Sequence, residues 1–379
     1  MKFVLFYHSL LSDWNHGNAH FLRGIVAELQ ARGHAVDVYE PEDAWSLAQL
    51  LAEHGPGPVE EWQRRFPQLR SHRYRLDTLD LDQALEGADV ALVHEWNDPA
   101  LVAAVGRHAP VTCRTFFHDT HHRSVSAPQE MARYDLRRYD GVLAFGEAIR
   151  QRYLERAWCA RAWTWHEAAD VRVFHPLLPV PEKTGDLVWI GNWGDDERAA
   201  ELREFLIEPV RALALRATVH GVRYPPQALS MLADAGLDYR GWLPNHRAPE
   251  VFARFKATVH VPRRPYVRLL PGIPTIRVFE ALACGIPLVS AHWDDVEGLF
   301  MPDRDFLMVN DGAHMRRALR AVLQDPERAS ELARNGLATI TARHTCAHRV
   351  DELLAILSTL DTSPSEHHAA STPRSLSHA

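Results

Sequence analysis

The sequence predicts an α/β protein of two doubly wound parallel sheets facing one another across a cleft, with a C-terminal helix. Three observations predict it. Short apolar runs alternate with segments of helical spacing, the pattern of parallel strands joined by crossover helices. The alternation breaks once, over residues 163–181, where Trp163-Thr-Trp-His-Glu167 and a proline-rich stretch intervene, and then resumes; such a break marks a domain boundary. The chain has 379 residues, 46% hydrophobic and 24% charged, enough for two or three soluble domains that bury their cores without disulfides or metals.

The elements follow in order. Residues 3–7 are a short apolar run, read as a buried strand, and a polar loop (residues 9–18) carries Asp13, Asn15, His16 and Gly17. Phe21, Leu22, Ile25, Val26 and Leu29 recur at helical spacing, Gly33 stops that helix, and residues 34–39 form the next strand. Residues 45–81 are less regular and read as an embellishment. Strands are expected at 89–94, ending in His94-Glu95, at 111–117, ending in His118-Asp119, and at 141–145, followed by a helix over 147–155. In the second half, residues 186–190, 217–221, 258–261 and 287–290 read as strands. Leu202, Phe205, Leu206, Val210 and Leu213 mark a helical face, and helices are expected over 315–323, 329–340 and 350–357. The expected organisation is a Rossmann-like N-terminal domain (1–171), a Rossmann-like C-terminal domain (172–345) and a terminal helix (346–361) returning towards the first domain. A Ser/Pro/His-rich tail (362–379) completes the chain, read as disordered because it has no core-forming residues.

Composition narrows the function classes. The formal net charge is −7 and the pI about 6.4, so no global basic field draws the chain to nucleic acid or anionic lipid. Of 42 cationic side chains only Lys2, Lys183 and Lys256 are lysines; the rest are arginines, planar forks suited to phosphates and carboxylates. Cys113, Cys159, Cys284 and Cys346 stand far apart with no Cys-x-x-Cys pair, which reads as a reduced, cytoplasmic protein. The N-terminal apolar run is too short for a signal peptide, and no stretch approaches the ~20 apolar residues of a membrane span.

Ligands of doubly wound sheets bind beyond the carboxyl ends of the strands, so the polar residues there are the candidates. Neither Gly17–Gly24 nor Gly191-Asn-Trp-Gly194 matches the dinucleotide fingerprint, and there is no phosphate-binding Gly-x-x-x-x-Gly-Lys motif. The most informative stretch runs from Leu270-Pro-Gly-Ile-Pro-Thr-Ile-Arg277 through Phe279-Glu-Ala-Leu-Ala-Cys-Gly285 to Ser290. Thr275 is the expected N-cap of a helix whose free N–H groups suit a phosphate. Arg277 adds a fork for a diphosphate, and Glu280, on the same face, suits ribose hydroxyls; a plain Arg277–Glu280 ion pair is the competing reading. His118, His121 and His122 do not match a metal motif, and the acid pairs Asp195-Asp196 and Asp294-Asp295 read as solvated loops.

That stretch resembles the donor-site helix of the GT-B glycosyltransferases of retaining family four, most closely the spore-maturation, CgeB-like branch. Glu297-Gly-Leu-Phe-Met-Pro302, Asp305-Phe-Leu307, Leu323-Gln-Asp-Pro326, Arg343-His-Thr345 with Arg349, and the crossover Asp170-Val-Arg-Val-Phe-His-Pro176 extend the resemblance over most of residues 165–357. It implies the GT-B fold and transfer of a sugar from a nucleoside-diphosphate sugar, UDP being the default, with retention and without metal or other cofactor. The implied acceptor is a glycan, small molecule or protein, with no nucleic acid partner and no membrane span; the oligomeric state stays open. Glu280 matches the second glutamate of the family's Glu-seven-residues-Glu pattern; Gly272 stands where the first would be. The implied donor side is Asn192, Arg198, Trp242, Leu243, Arg263, Gly272, Thr275, Ile276, Arg277 and Glu280; the acceptor side is His16, Gly17, Asn18, His94 and Glu95. His118 is implied as a catalytic group beside the reacting sugar, and Asp119 is read as the catalytic neighbour that orients it. A noncatalytic GT-B-like binding protein and a nucleotide-sugar 2-epimerase are the alternative readings.

Overall fold

The structure, a computed structural model, describes residues 1–361 and has the expected α/β class, with two parallel sheets packed among helices. The first sheet comprises β1 (Lys2–Phe6), β2 (Ala35–Pro41), β3 (His72–Tyr74), β4 (Val90–His94), β5 (Arg114–Asp119), β6 (Gly141–Ala144) and β7 (Ala162–Thr164). Their order is β3-β2-β1-β4-β5-β6-β7. The second comprises β8 (Gly185–Ile190), β9 (Ala217–His220), β10 (Leu237–Tyr239), β11 (Phe255–His260), β12 (Leu288–Ala291) and β13 (Leu307–Val309), ordered β10-β9-β8-β11-β12-β13. Strand order reverses at β1/β4 and at β8/β11, the switch points beside which such sheets open a crevice.

The central strands are apolar on both faces because both faces are covered: Val4, Leu5, Val93, Val142, Leu187 and Val289 are fully buried. The helix Ala19–Ala31 packs Phe21, Leu22, Ile25, Val26 and Leu29 against the first sheet, and Gly33 follows it at φ +80°. The Leu202–Leu213 face is carried by a helix that widens into π hydrogen bonding over Arg203–Ile207.

Three expectations need correction. The strand read at 111–117 is β5, Arg114–Asp119: Val111 is 82% exposed, and the ladder to β4 continues through His94↔His118. His118 and Asp119 therefore lie inside the sheet, not beyond it. Residues 45–81 are more than an embellishment, since they supply edge strand β3 and the helices Trp45–His54 and Gly57–Arg65. The last helix begins at Cys346 and runs to Asp361, longer than the 350–357 segment read from spacing. The tail read as disordered lies outside the described residues.

The chain passes between the sheets twice, after β7 and before the last helix, and the two passages touch. Ala169 bridges Thr345; Ala169 N donates to His344 O at 2.9 Å and Cys346 N to Ala169 O at 3.0 Å. The last helix lies along the Ala19–Ala31 helix, where Arg32 Nη1 donates to Asp351 Oδ1 (2.5 Å) and Trp165 Nε1 to Arg349 O (2.8 Å).

Candidate active site

A cleft of about 320 Å³ separates the carboxyl ends of the two sheets. On the second-half side it is walled by arginines. Arg277 leaves the first turn of the helix Ile276–Ala283, whose Thr275 cap turns its own hydroxyl away to His260 Nε2 (3.0 Å), so no cap side chain covers the helix end. Arg198 stacks over Trp189 (5.2 Å) and donates only to the carbonyls of Asn192, Trp193 and Val261. Burial, then repulsion from Arg263 and later Arg277, pulls the Arg198 guanidinium down to about 9. Arg263 completes the group, braced by Glu197 at 2.6 Å. Three mutually repelling cations around one cavity, one of them bonded only to neutral acceptors, form a site built for an anion.

Behind this wall, Glu280 is fully buried and does not line the cleft. One carboxylate oxygen accepts from Arg277 and the other from His20 Nδ1 at 3.1 Å. His20 Nε2 accepts from the Asp170 amide (2.7 Å), which fixes the tautomer with the proton on Nδ1. Glu280 thus aims Arg277 from below. Gly272 is also off the cleft: its φ is +89°, and a Cβ there would meet Glu297 Oε1 at 2.8 Å, so no glutamate fits that position without displacing Glu297.

The first-half wall is a chain of hydrogen bonds. Asn18 Nδ2 donates to Thr120 Oγ1 (2.5 Å), leaving Asn18 Oδ1 to accept from His16 Nδ1 (3.1 Å); His16 Nε2 then accepts from His8 Nε2 at 2.6 Å. His94, fully buried, holds Thr120 Oγ1 from behind at 2.9 Å. Burial lowers His16 to about 4, so the ring is neutral at pH 7. Gly17 lies against the Ile276–Ala283 helix, where an added Cβ would stand 3.1 Å from Ile276 Cγ2.

Glu95 and Asp119 are fully buried, and burial pushes both carboxyls up. They clamp the turn after β5: Glu95 Oε1 accepts from Thr120 N at 2.9 Å, Asp119 Oδ1 from His121 N at 3.0 Å, and Asp119 Oδ2 from Tyr153 at 2.8 Å. This clamp presents Thr120 and His121 to the cleft. His118 lies under the cleft floor, fully buried among Tyr7, Phe21, His94 and Trp165, with neither ring nitrogen hydrogen-bonded. Burial lowers it to about 3.

Of the remaining sequence candidates, Asn192 lines the cleft and donates to Asn15 Oδ1 across it at 2.6 Å. Trp242 and Leu243 do not line it. Trp242 Nε1 donates to Asp13 Oδ1 (3.0 Å), its ring 5.0 Å from His54, while Leu243 packs on the core. Sequence reasoning missed Asp13, which also accepts from Asn245 N (3.0 Å) and Arg23 (2.7 Å) and so ties the first loop to the second half. It also missed Glu167, Thr120, His121 and Tyr266 as cleft residues. Glu167 is buried against the helix end, beside the Ile276 amide, and desolvation followed by the nearby Glu280 raises its carboxyl well above the usual range. Its position just past β7 was the available signal. Among the described residues no cluster of three or more His, Cys, Asp or Glu is arranged to hold a metal ion, and no helix is long and apolar enough to cross a membrane.

Residues 198–355 match the sequence family described as Glycosyl transferase-like. No curated protein matches the chain by sequence. Among solved structures, the chain is similar to a sucrose-phosphate synthase from Thermosynechococcus elongatus (14% identity, 95% of this chain and 100% of that one, TM-score 0.66). It is similar also to an α-glucosyltransferase solved with UDP and a 13-mer DNA (11%, 94% and 99%, TM-score 0.69). A third is HepE from Anabaena, solved with UDP (13%, 95% and 100%, TM-score 0.65). The fold is therefore GT-B, and within its second half residues 198–355 are similar to the Glycosyl transferase-like family.

Proposed function

We propose that the chain is a glycosyltransferase that moves a sugar from a nucleoside-diphosphate donor, a UDP-sugar by default, to an acceptor held by the first half. The observation that carries this reading is the convergence of Arg198, Arg263 and Arg277 at the uncapped start of the Ile276–Ala283 helix. A departing diphosphate gains negative charge as the glycosidic bond breaks. Fixed guanidinium groups and helix N–H groups aimed at that charge stabilise the transition state more than the ground state.

In this reading Arg277 and Arg198 meet the diphosphate, Arg263 supplements them, and Glu280 acts as a positioning residue for Arg277. Asn192, Thr275 and Ile276 border the donor; His16, Gly17 and Asn18 border the acceptor, with Thr120 and His121 added to that side. Trp242 and Leu243 support the donor loop from outside. His118 stays in the proposal as the sugar-side group because both its nitrogens lack partners, and a buried polar group left unsatisfied asks for a functional reason. The arginines supply the charge a divalent cation would otherwise supply, so turnover is expected without added metal. Resemblance to family four, not geometry, supports retention, and the free thiols of all four cysteines fit a cytoplasmic setting.

The test is a thermal-shift titration with UDP, GDP, dTDP and ADP. One nucleotide at 100 times its dissociation constant should stabilise by about 2.7 kcal/mol. Arg277→Ala should weaken that nucleotide about tenfold or more, in line with the ~1.5–3 kcal/mol of a hydrogen bond to a charged group. No response to any nucleotide, or unchanged affinity in Arg277→Ala, refutes the reading.

A further inference from the structure

Continuous with the cleft, through the shared residues His16, Trp45 and Trp96, lies a larger groove of about 840 Å³ on the first half. Its chemistry is opposite in sign. Five carboxylates line it against three arginines, and two of those arginines are already paired: Arg75 with Asp77 at 2.9 Å and Arg123 with Glu130 at 3.0 Å. Glu42, Asp43 and Asp98 remain against Arg133. Between these acids stand two indoles with open surface, Trp45 at 49% exposure and Trp96 at 40%. Neither is loose. The edge of Trp14 meets Trp45 at 5.0 Å, and the Arg123 guanidinium lies 4.6 Å from the Trp96 ring.

We propose that this groove binds the acceptor, and that the acceptor is a saccharide without anionic groups. The inference rests on the transferase reading above and adds the substrate class. A pyranose has an apolar C–H face that packs on an immobilised indole, and hydroxyls that donate to carboxylates. An amino sugar gains further from Glu42 and Asp43. A sulfate, phosphate or carboxylate would meet like charge, which costs affinity and rejects the wrong partner. The reversal of sign along one continuous cavity also orients the reaction: the diphosphate sits at the arginine end and the saccharide at the acidic end, with His16 at the junction.

The experiment applies the full-length protein, loaded with UDP, to an immobilised array of neutral, amino, sialylated and sulfated oligosaccharides. Neutral or amino glycans should be retained, with their sialylated or sulfated counterparts at least about tenfold weaker. Trp45→Ala and Trp96→Ala should each weaken the retained glycan about tenfold, a larger loss than any they cause in the affinity for UDP read from its melting shift. As a variant on exposed positions, Glu42→Lys with Asp43→Lys should move retention towards the sulfated glycans. Equal retention of anionic glycans, or no retention while UDP still raises the melting temperature, overturns this inference alone. Absence of the UDP response overturns the transferase reading and this inference with it.

Discussion

His118 shows how one residue can be located by sequence and still be misplaced in depth. Its place near the end of a core strand was legible, because Thr115-Phe-Phe117 reads as buried sheet. The extra two residues of β5 were not, because His118 and Asp119 are polar and local patterning ends a strand where polarity begins. What keeps them in the sheet is tertiary: the β4 ladder on one side, the β6 ladder (His118↔Leu143, Asp119↔Ala144) on the other, and Tyr153 on the Asp119 side chain. His118→Phe keeps the ring and removes two unpartnered nitrogens. Replacing an unsatisfied polar group by an apolar one of similar shape is neutral or stabilising, so the melting temperature should hold or rise. Turnover should fall by about tenfold or more, the low end of what a lost polar group beside the reacting centre costs, with UDP affinity retained. Turnover within twofold of the parent would make His118 a wall residue. Glu280 gives the complementary case: its pairing with Arg277 followed from i, i+3 spacing, whereas its second partner His20, 260 positions away, has no trace in the local sequence.

At the level of elements, the central strands and the Ile276–Ala283 helix were legible because burial on both faces, or on one stripe, writes itself into composition. The three-residue strands β3, β7, β10 and β13 were not, since so short a run carries too few residues to show a period. Gly24 was unreadable for a different reason. Inside a helix it looks like a weakness, since glycine is unfavourable there. The structure supplies the cause: a Cβ at Gly24 would come within 2.5 Å of Cys346 Sγ and 2.8 Å of Asp170 Cβ, where the first helix, the crossover and the last helix converge. Gly24→Ala should therefore destabilise despite its better helix propensity, by about 1–3 kcal/mol as for an overpacked core. A rise in melting temperature would show that the three elements separate without cost.

Across the whole molecule, buried titratable groups set the pH dependence of stability. His8, His94 and His121 are held well below the usual histidine range by burial, His16 is lowered to about 4, and His118, His260 and His344 to about 3. The unfolded chain protonates these rings below about pH 6.5 while the native state does not, so it binds more protons and stability falls as pH drops from 6.5 towards 4. Each such ring contributes a slope of up to about 1.4 kcal/mol per pH unit. The buried carboxyls Glu95, Asp119 and Glu167 act oppositely: burial raises them, so the native state holds their protons more tightly than the unfolded chain and their contribution to stability falls as pH rises. The histidines outnumber them, so melting temperature should climb from pH 5 to about 6.5 and then flatten or decline. A melting temperature unchanged between pH 5 and 7 would mean the rings are solvated in solution. The paired passages at Ala169 and Thr345 set a mechanical limit as well. A single tether would let one half twist and slide against the other, but two adjacent straps, hydrogen-bonded side by side, act as a door hinge. They resist twisting and sliding more than rotation about an axis through the straps, so any change in the width of the cleft is expected to be greatest at the rim farthest from them.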